Sequence, residues 1–313
     1  MGVTSSSYAC SLGEGSTPLV QAARLSPATG YDVHLKCDGL NPTGSFKDRG
    51  MVVAVSRAAD SGARAVVCAS TGNTAASAAA YAARAGLDAI VLTPAGATAT
   101  AKRAQAVAAG AKLLEIRGSF DDALRLCREL GERDGFVLVN SVNPDRVEGQ
   151  KSVVVEIIEQ LGSAPEIIAL PFGGGGNVSA VAAALEEAGA TSRIIIGEAA
   201  ERATTWASAI RISEPAHAAH VAELVRSGRV ELVTLGEDEI RSAWRMIAAE
   251  EGVFCEPASA SGFAALRQLG PGDGSCAVCI LTGHGLKDTG ELEAAMSATV
   301  VDATIDAVLE AIR

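Results

Sequence analysis

Asn41-Pro42-Thr43-Gly44-Ser45-Phe46-Lys47-Asp48-Arg49-Gly50 sets one lysine between turn residues and an apolar run. Pro42 and Gly44 punctuate the chain before it, and Met51, Val52, Val53 and Val55 begin a helical stretch after it. The pattern predicts Lys47 at or near a helix N-terminus. The partial positive charge of such an end disfavours an ammonium group. A lysine with a lowered pKa is a nucleophile, and it suits a Schiff base with an aldehyde cofactor. The competing reading of any single lysine is a solvated surface position.

Working outward, apolar runs of strand length alternate with helical stretches. Residues 31–37 read as a strand leading into the lysine segment, and 51–61 as the helix after it. Strands are expected at 65–69, 89–92, 112–116 and 136–139, separated by helices at 74–84, 100–109 and 120–132. The second half repeats the style, with strands at 166–170, 193–197 and 276–281. Its helices are expected at 177–188, 237–250, 259–269 and 302–312. Strands alternating with helices of this length imply parallel βαβ units and an α/β fold. There is no sequence repeat and no low-complexity linker.

A chain of 313 residues suggests two domains or one large one. Its 48% hydrophobic and 20% charged residues suit a soluble globular enzyme. A net charge of −11 argues against nucleic acid or an anionic membrane as main partner. No apolar run is long enough to span a bilayer, and residues 1–11 lack the build of a signal peptide. Met1-Gly2-Val3-Thr4-Ser5-Ser6 fits a myristoylation pattern that is short enough to arise by chance. Seven cysteines without a secretory signal point to reduced thiols in a cytoplasm. Cys276 and Cys279 have C-x-x-C spacing, but strand positions three apart face opposite sides, so core packing is expected there and no metal. His217 and His220 share a helix face without a third ligand and read as surface residues.

Four further segments carry candidate chemistry. Ser70-Thr71-Gly72-Asn73-Thr74 follows a strand and opens a helix, where backbone N–H groups bind anions. Asn73 can donate to a phenolate oxygen there, or Asn73 or Thr74 can cap the helix. Phe172-Gly173-Gly174-Gly175-Gly176-Asn177 makes the same transition, and four consecutive glycines leave bare amides able to wrap a phosphate. The glycines are contiguous, unlike a dinucleotide fingerprint, and no Gly-Lys-Ser/Thr follows as in a Walker loop. Asn140-Ser141-Val142-Asn143-Pro144-Asp145-Arg146 offers a guanidinium with neutral donors, a set that suits a phosphate dianion or a solvated hinge. Leu281-Thr282-Gly283-His284 ends a strand; its histidine either carries protons or closes a turn.

Ser45-Phe46-Lys47-Asp48-Arg49 resembles the cofactor-lysine segment of fold type II pyridoxal-phosphate enzymes. Within that group Asn41 to Gly50, Leu12 to Leu19 and Val139 to Lys151 look most like threonine synthases, and the resemblance spans about 12–288. It implies two parallel-sheet domains of tryptophan synthase β-like architecture, residues 45–145 being inserted between 1–44 and 146–313. It implies pyridoxal 5′-phosphate on Lys47, with Asn73 at its 3-oxygen and Thr282 at its pyridine nitrogen. Gly173, Gly174, Gly175, Gly176 and Asn177 would hold its phosphate. The substrate carboxylate would lie on Ser70, Thr71 and Gly72, and the substrate phosphate on Thr74, Asn140, Ser141 and Arg146. The implied reaction turns O-phospho-L-homoserine and water into L-threonine and phosphate, in a homodimer. One departure bears on it: Gly174 stands where threonine synthases commonly have an asparagine that also touches the substrate phosphate. That glycine favours a threonine or serine dehydratase-like lyase, or a replacement enzyme of a specialised pathway, whereas the intact 140–146 segment opposes both. An inactive ligand-sensing relative is the alternative of another class, opposed by intact Lys47, Asn73 and Thr282.

Overall fold

The computed structural model describes residues 8–96, 101–290 and 298–312. The strands are β1 (Leu19–Gln21), β2 (Asp32–Lys36), β3 (Ala65–Ala69), β4 (Asp88–Pro94), β5 (Lys112–Ile116) and β6 (Phe136–Leu138), then β7 (Ile167–Pro171), β8 (Arg193–Ala199), β9 (Val230–Leu235) and β10 (Cys276–Ile280). The described α-helices are α1 (Leu25–Thr29), α2 (Lys47–Asp60), α3 (Asn73–Ala85), α4 (Ala101–Ala108), α5 (Phe120–Gly131) and α6 (Pro144–Gln150). They continue with α7 (Ser152–Leu161), α8 (Gly176–Glu187), α9 (Ala218–Arg226), α10 (Glu237–Glu251), α11 (Ser261–Gln268) and α12 (Ile305–Ala311).

Two sheets result, as the α/β pattern predicts. One has the order β1-β2-β10-β7-β8-β9, parallel except for β1; the other, β5-β4-β3-β6, is parallel throughout. Alternate residues of the first sheet enter opposite cores: Ile167, Ala169, Ala277 and Cys279 on one face, Ile168, Leu170, Val278 and Ile280 on the other. The smaller sheet divides in the same way, Val66 and Cys68 against Val67 and Ala69. Strands buried on both faces explain why these segments read as continuous apolar runs.

The structure adds elements that the sequence pattern did not predict. β9 is the sheet's edge, and its exposed Glu231 and Thr234, on opposite faces, interrupt the apolar signal because the edge strand meets water on both sides. α6 and α7 fill 144–161, with Pro144 at the helix start, where a missing N–H costs nothing. α2 crosses α6 closely. A Cβ on Gly149 would lie 2.1 Å from the Arg49 carbonyl oxygen, and one on Gly50 2.3 Å from that of Arg146. That approach brings Arg146 up behind Lys47. The expected helix over 302–312 forms as α12, with no buried residue, and residue 100 of the expected 100–109 helix lies outside the described residues. The myristoylation pattern also lies outside them. All seven cysteines are unpaired. Cys279 is in the core, while Cys276 is partly exposed, within 4.8 Å of Asp32 and His34 ligand atoms.

Candidate active site

Parallel strands open loops at their C-terminal ends, where an α/β sheet gathers its ligands. The lysine segment follows β2, Ser70–Gly72 follows β3, Asn140 and Ser141 follow β6, the glycine loop follows β7, and Thr282 follows β10. The lysine segment and the Thr282 loop are tied to each other, and the Thr282 loop to Glu256, by backbone hydrogen bonds. Phe46 N–H donates to Thr282 O at 2.9 Å, His284 N–H to Gly44 O at 3.0 Å, and Glu256 N–H to Gly283 O at 2.8 Å.

Lys47 is the first residue of α2, as predicted. The next two residues of that turn face inward and lock it. Asp48 accepts from Thr43 N at 2.7 Å and Ser77 Oγ at 2.6 Å, and Arg49 pairs with Asp38 at 2.8 Å and Glu156 at 2.6 Å. Lys47 itself is partly open, with its ammonium 4.4 Å from the Phe46 ring centre. Its pKa is lowered to about 7 by burial first and by the Arg146 guanidinium second, against the pull of Glu256. Burial and a second cation thus lower it, where the sequence suggested the helix end.

Arg146 is fully buried and donates to Val139 O at 2.7 Å and weakly to Lys47 O at 3.5 Å, while its Nε–H has no partner. Burial lowers its own pKa to about 10. Asn140 spends both polar atoms on Ala69, accepting from its N–H and donating to its carbonyl, each at 2.9 Å. Its side chain therefore splices β6 to the end of β3. Ser70 Oγ accepts from Gly72 N–H at 3.0 Å, Thr71 is exposed, and Thr74 is partly buried in the first turn of α3.

Asn73 donates through Nδ2 to Glu256 Oε2 at 2.8 Å, and its Oδ1 has no partner. Glu256 also pairs with Lys102 at 2.7 Å, and Lys102 lies 3.6 Å from Asp288. Gly283 is obligatory against this carboxylate, since an added Cβ would fall 1.8 Å from Glu256 Oε2. Glu256 thus joins Asn73, Lys102 and Gly283, and its charge is felt at Lys47. The sequence reading gave it no role; the signal available was a lone glutamate opening Glu256-Pro257-Ala258-Ser259. Thr282 is buried, with its hydroxyl 3.1 Å from Ser259 Oγ. His284 accepts through Nδ1 from Leu286 N–H at 3.2 Å and so closes a turn.

The glycine loop runs from β7 into α8, with Gly175 at φ +88°, a backbone that glycine adopts without strain. Gly174 has open space: an added Cβ would meet only Ile212 Cδ1 at 3.7 Å and Ser141 Oγ at 4.0 Å. No acidic residue occupies the first turn of α8, and the buried Asn177 Nδ2 has no partner. His217 is not a plain surface residue: its ring packs on this loop and lies 2.9 Å from Ser141 O, whereas His220 is exposed.

A nucleophilic amine, a bare anion cradle at a helix N-terminus and unpartnered buried amides define a site for an aldehyde that carries a phosphate. The chain belongs to the pyridoxal-phosphate dependent enzyme family, whose profile matches residues 10–283. Among its relatives is the threonine synthase of Halalkalibacterium halodurans, 43% identical over 306 residues, covering 91% of this chain and 86% of that one. The threonine synthase of Mycobacterium tuberculosis is 46% identical over 297 residues, covering 88% and 82%. In architecture the chain is similar to maize serine racemase (TM-score 0.77, 23% identity, 90% and 91% covered). It is likewise similar to an L-serine ammonia-lyase from Rhizomucor miehei (TM-score 0.77, 22% identity, 90% and 97% covered). Pyridoxal phosphate fits this donor set: the Gly174 backbone is open, Asn177 Nδ2 is unpartnered, Asn73 Nδ2 keeps a second N–H beyond the one given to Glu256, and Lys47 titrates near neutrality.

Proposed function

We propose that this protein converts O-phospho-L-homoserine and water to L-threonine and phosphate. The observation that carries the reading is Lys47, an amine lowered to about 7 with the Arg146 guanidinium behind it. A base poised near neutrality can take and return protons at comparable cost. The threonine synthase relatives support the substrate. Lys47 Nζ would be the base that removes the Cα proton and then passes protons along the substrate. Gly173, Gly174, Gly175, Gly176 and Asn177 would hold the cofactor's phosphate, with Asn73 and Thr282 against its ring. When bound, pyridoxal phosphate supplies the electron sink that makes the Cα proton removable.

Ser70, Thr71 and Gly72 would hold the substrate carboxylate. Thr74, Asn140, Ser141 and Arg146 would hold the phosphate as it departs from the γ-carbon, before water adds at the β-carbon. The unpartnered Arg146 Nε–H supports this assignment, since a buried donor gains most from a dianion. Asn140 would have to release Ala69 to join. Sheet membership supports reading 45–145 as a unit inserted between 1–44 and 146–313, because β3 to β6 form a sheet of their own. We read the protein as a cytoplasmic homodimer; the unpaired thiols support a reducing compartment.

Gly174 favours a second reading, a lyase that deaminates threonine or serine, because no side chain at that position reaches a substrate phosphate. Assaying O-phosphohomoserine, O-phosphoserine, threonine and serine side by side separates the two. Fast threonine and phosphate release from phosphohomoserine is expected. Brisk oxo-acid formation without phosphate release would give the site to deamination, and no turnover of any of the four would leave an inactive or two-substrate relative.

A further inference from the structure

His217 touches two of the proposed phosphate elements at once. Its backbone N–H donates to Gly174 O at 3.1 Å, so the glycine loop is pinned at its second residue. Its ring Nε2 lies 2.9 Å from Ser141 O. A carbonyl can only accept, so Nε2 carries the proton and the tautomer is fixed. The ring also fills the outside of the loop: His217 Cβ lies 2.9 Å from where a Cβ on Gly175 would stand, and Nε2 3.5 Å from that of Gly176. Ser141 meanwhile faces Gly174, its Oγ 4.0 Å from the Cβ position there.

We propose that His217 is a positioning residue that fixes the spacing between the glycine loop and Ser141, and thereby shapes a subsite for the phosphate of a phosphate-monoester amino acid. The inference rests on the reading of a phosphorylated substrate given above. Its physical content is a strut. The loop of bare glycines has no side chains of its own and is held from its own domain by Ser179 Oγ on Gly175 O and Arg202 on Gly173 O, whereas Ser141 belongs to a segment that starts from the other sheet. With Gly174 lacking a side chain, the imidazole spans from the loop to the Ser141 carbonyl.

The test compares holoenzyme with His217→Ala and His217→Gln, because a glutamine amide can also donate to Ser141 O. Four quantities are read: KM and kcat for O-phosphohomoserine, the affinity of inorganic phosphate followed by the change in cofactor absorbance, and the affinity for pyridoxal phosphate itself. Losing one neutral hydrogen bond that organises the subsite should raise KM and weaken inorganic phosphate by about three- to tenfold in His217→Ala. The kcat and cofactor affinity should change by less than that, and His217→Gln should recover most of the loss. Unchanged phosphate affinity in His217→Ala overturns the proposal. So does an equal loss of cofactor affinity, or a loss that His217→Gln does not recover. If the wild-type protein does not turn over phosphohomoserine, the functional reading fails by itself, while the phosphate affinities of the three proteins still decide the role of His217.

Discussion

Lys47 offers the most direct test, because the fold and not the residue type sets its chemistry. The ordinary lysine value is 10.5, and Lys47 is lowered to about 7. At pH 7 about half of its amine is then neutral, against roughly one part in three thousand for a solvated lysine, a ratio on the order of a thousandfold. The sign follows from the causes: burial and Arg146 both oppose the ammonium, so the neutral amine gains as pH rises through the lowered value and saturates above it. The assay is pulse arylation of the cofactor-free protein across the neutral and alkaline range, with the Lys47 peptide quantified by mass spectrometry. Lys112, whose side chain is 60% exposed, is the internal reference. Lys47 should label with an inflection near neutrality, well below the ordinary lysine value of 10.5. Arg146→Met removes one of the two opposing causes and should move the inflection upward, with the melting temperature recorded to monitor the fold. An inflection for Lys47 that coincides with that of Lys112, or one that Arg146→Met leaves in place, would refute the reasoning.

Three further outcomes are expected. Glu256→Gln leaves the buried Lys102 with only Asp288, at 3.6 Å, as a charged partner and should destabilise the protein by about 3 kcal/mol, read by denaturant unfolding; because Glu256 raises the Lys47 pKa, the labelling inflection should also fall. Gly283→Ala drives a Cβ to 1.8 Å from Glu256 Oε2 and should abolish cofactor binding or folding, seen as loss of the cofactor absorbance or of the cooperative melt. The Cβ of Gly174→Asn would meet nothing closer than Ile212 Cδ1 at 3.7 Å, so the fold should be kept. An added donor to a charged phosphate should raise kcat/KM for O-phosphohomoserine by roughly tenfold, and unchanged kinetics would count against a phosphate beside Gly174.

The sequence by itself determined the elements and the chemistry that each end could offer. Alternating apolar runs marked most of the strands because the central strands β3, β7 and β10 are buried on both faces and so carry apolar residues throughout. Turn residues before an apolar run placed Lys47 in the first turn of α2, and four glycines after a strand marked the loop before α8, because both signals are local. What the local signal could not carry were the pairings. Asn73 and Glu256 lie 183 positions apart and meet only when the two sheets close on each other. His217 and Ser141 are 76 apart, and nothing in a lone histidine ahead of a helix announces the carbonyl it will find. Arg146 reads in the sequence as an open phosphate ligand. In the fold the glycine contact between α2 and α6 also buries it behind Lys47, so that beside the phosphate role proposed above it is a cation that lowers the Lys47 pKa. A residue's type fixes which charge or proton it can hold. The desolvation and neighbouring charge that decide whether it holds them arise only when distant strands and helices are packed together.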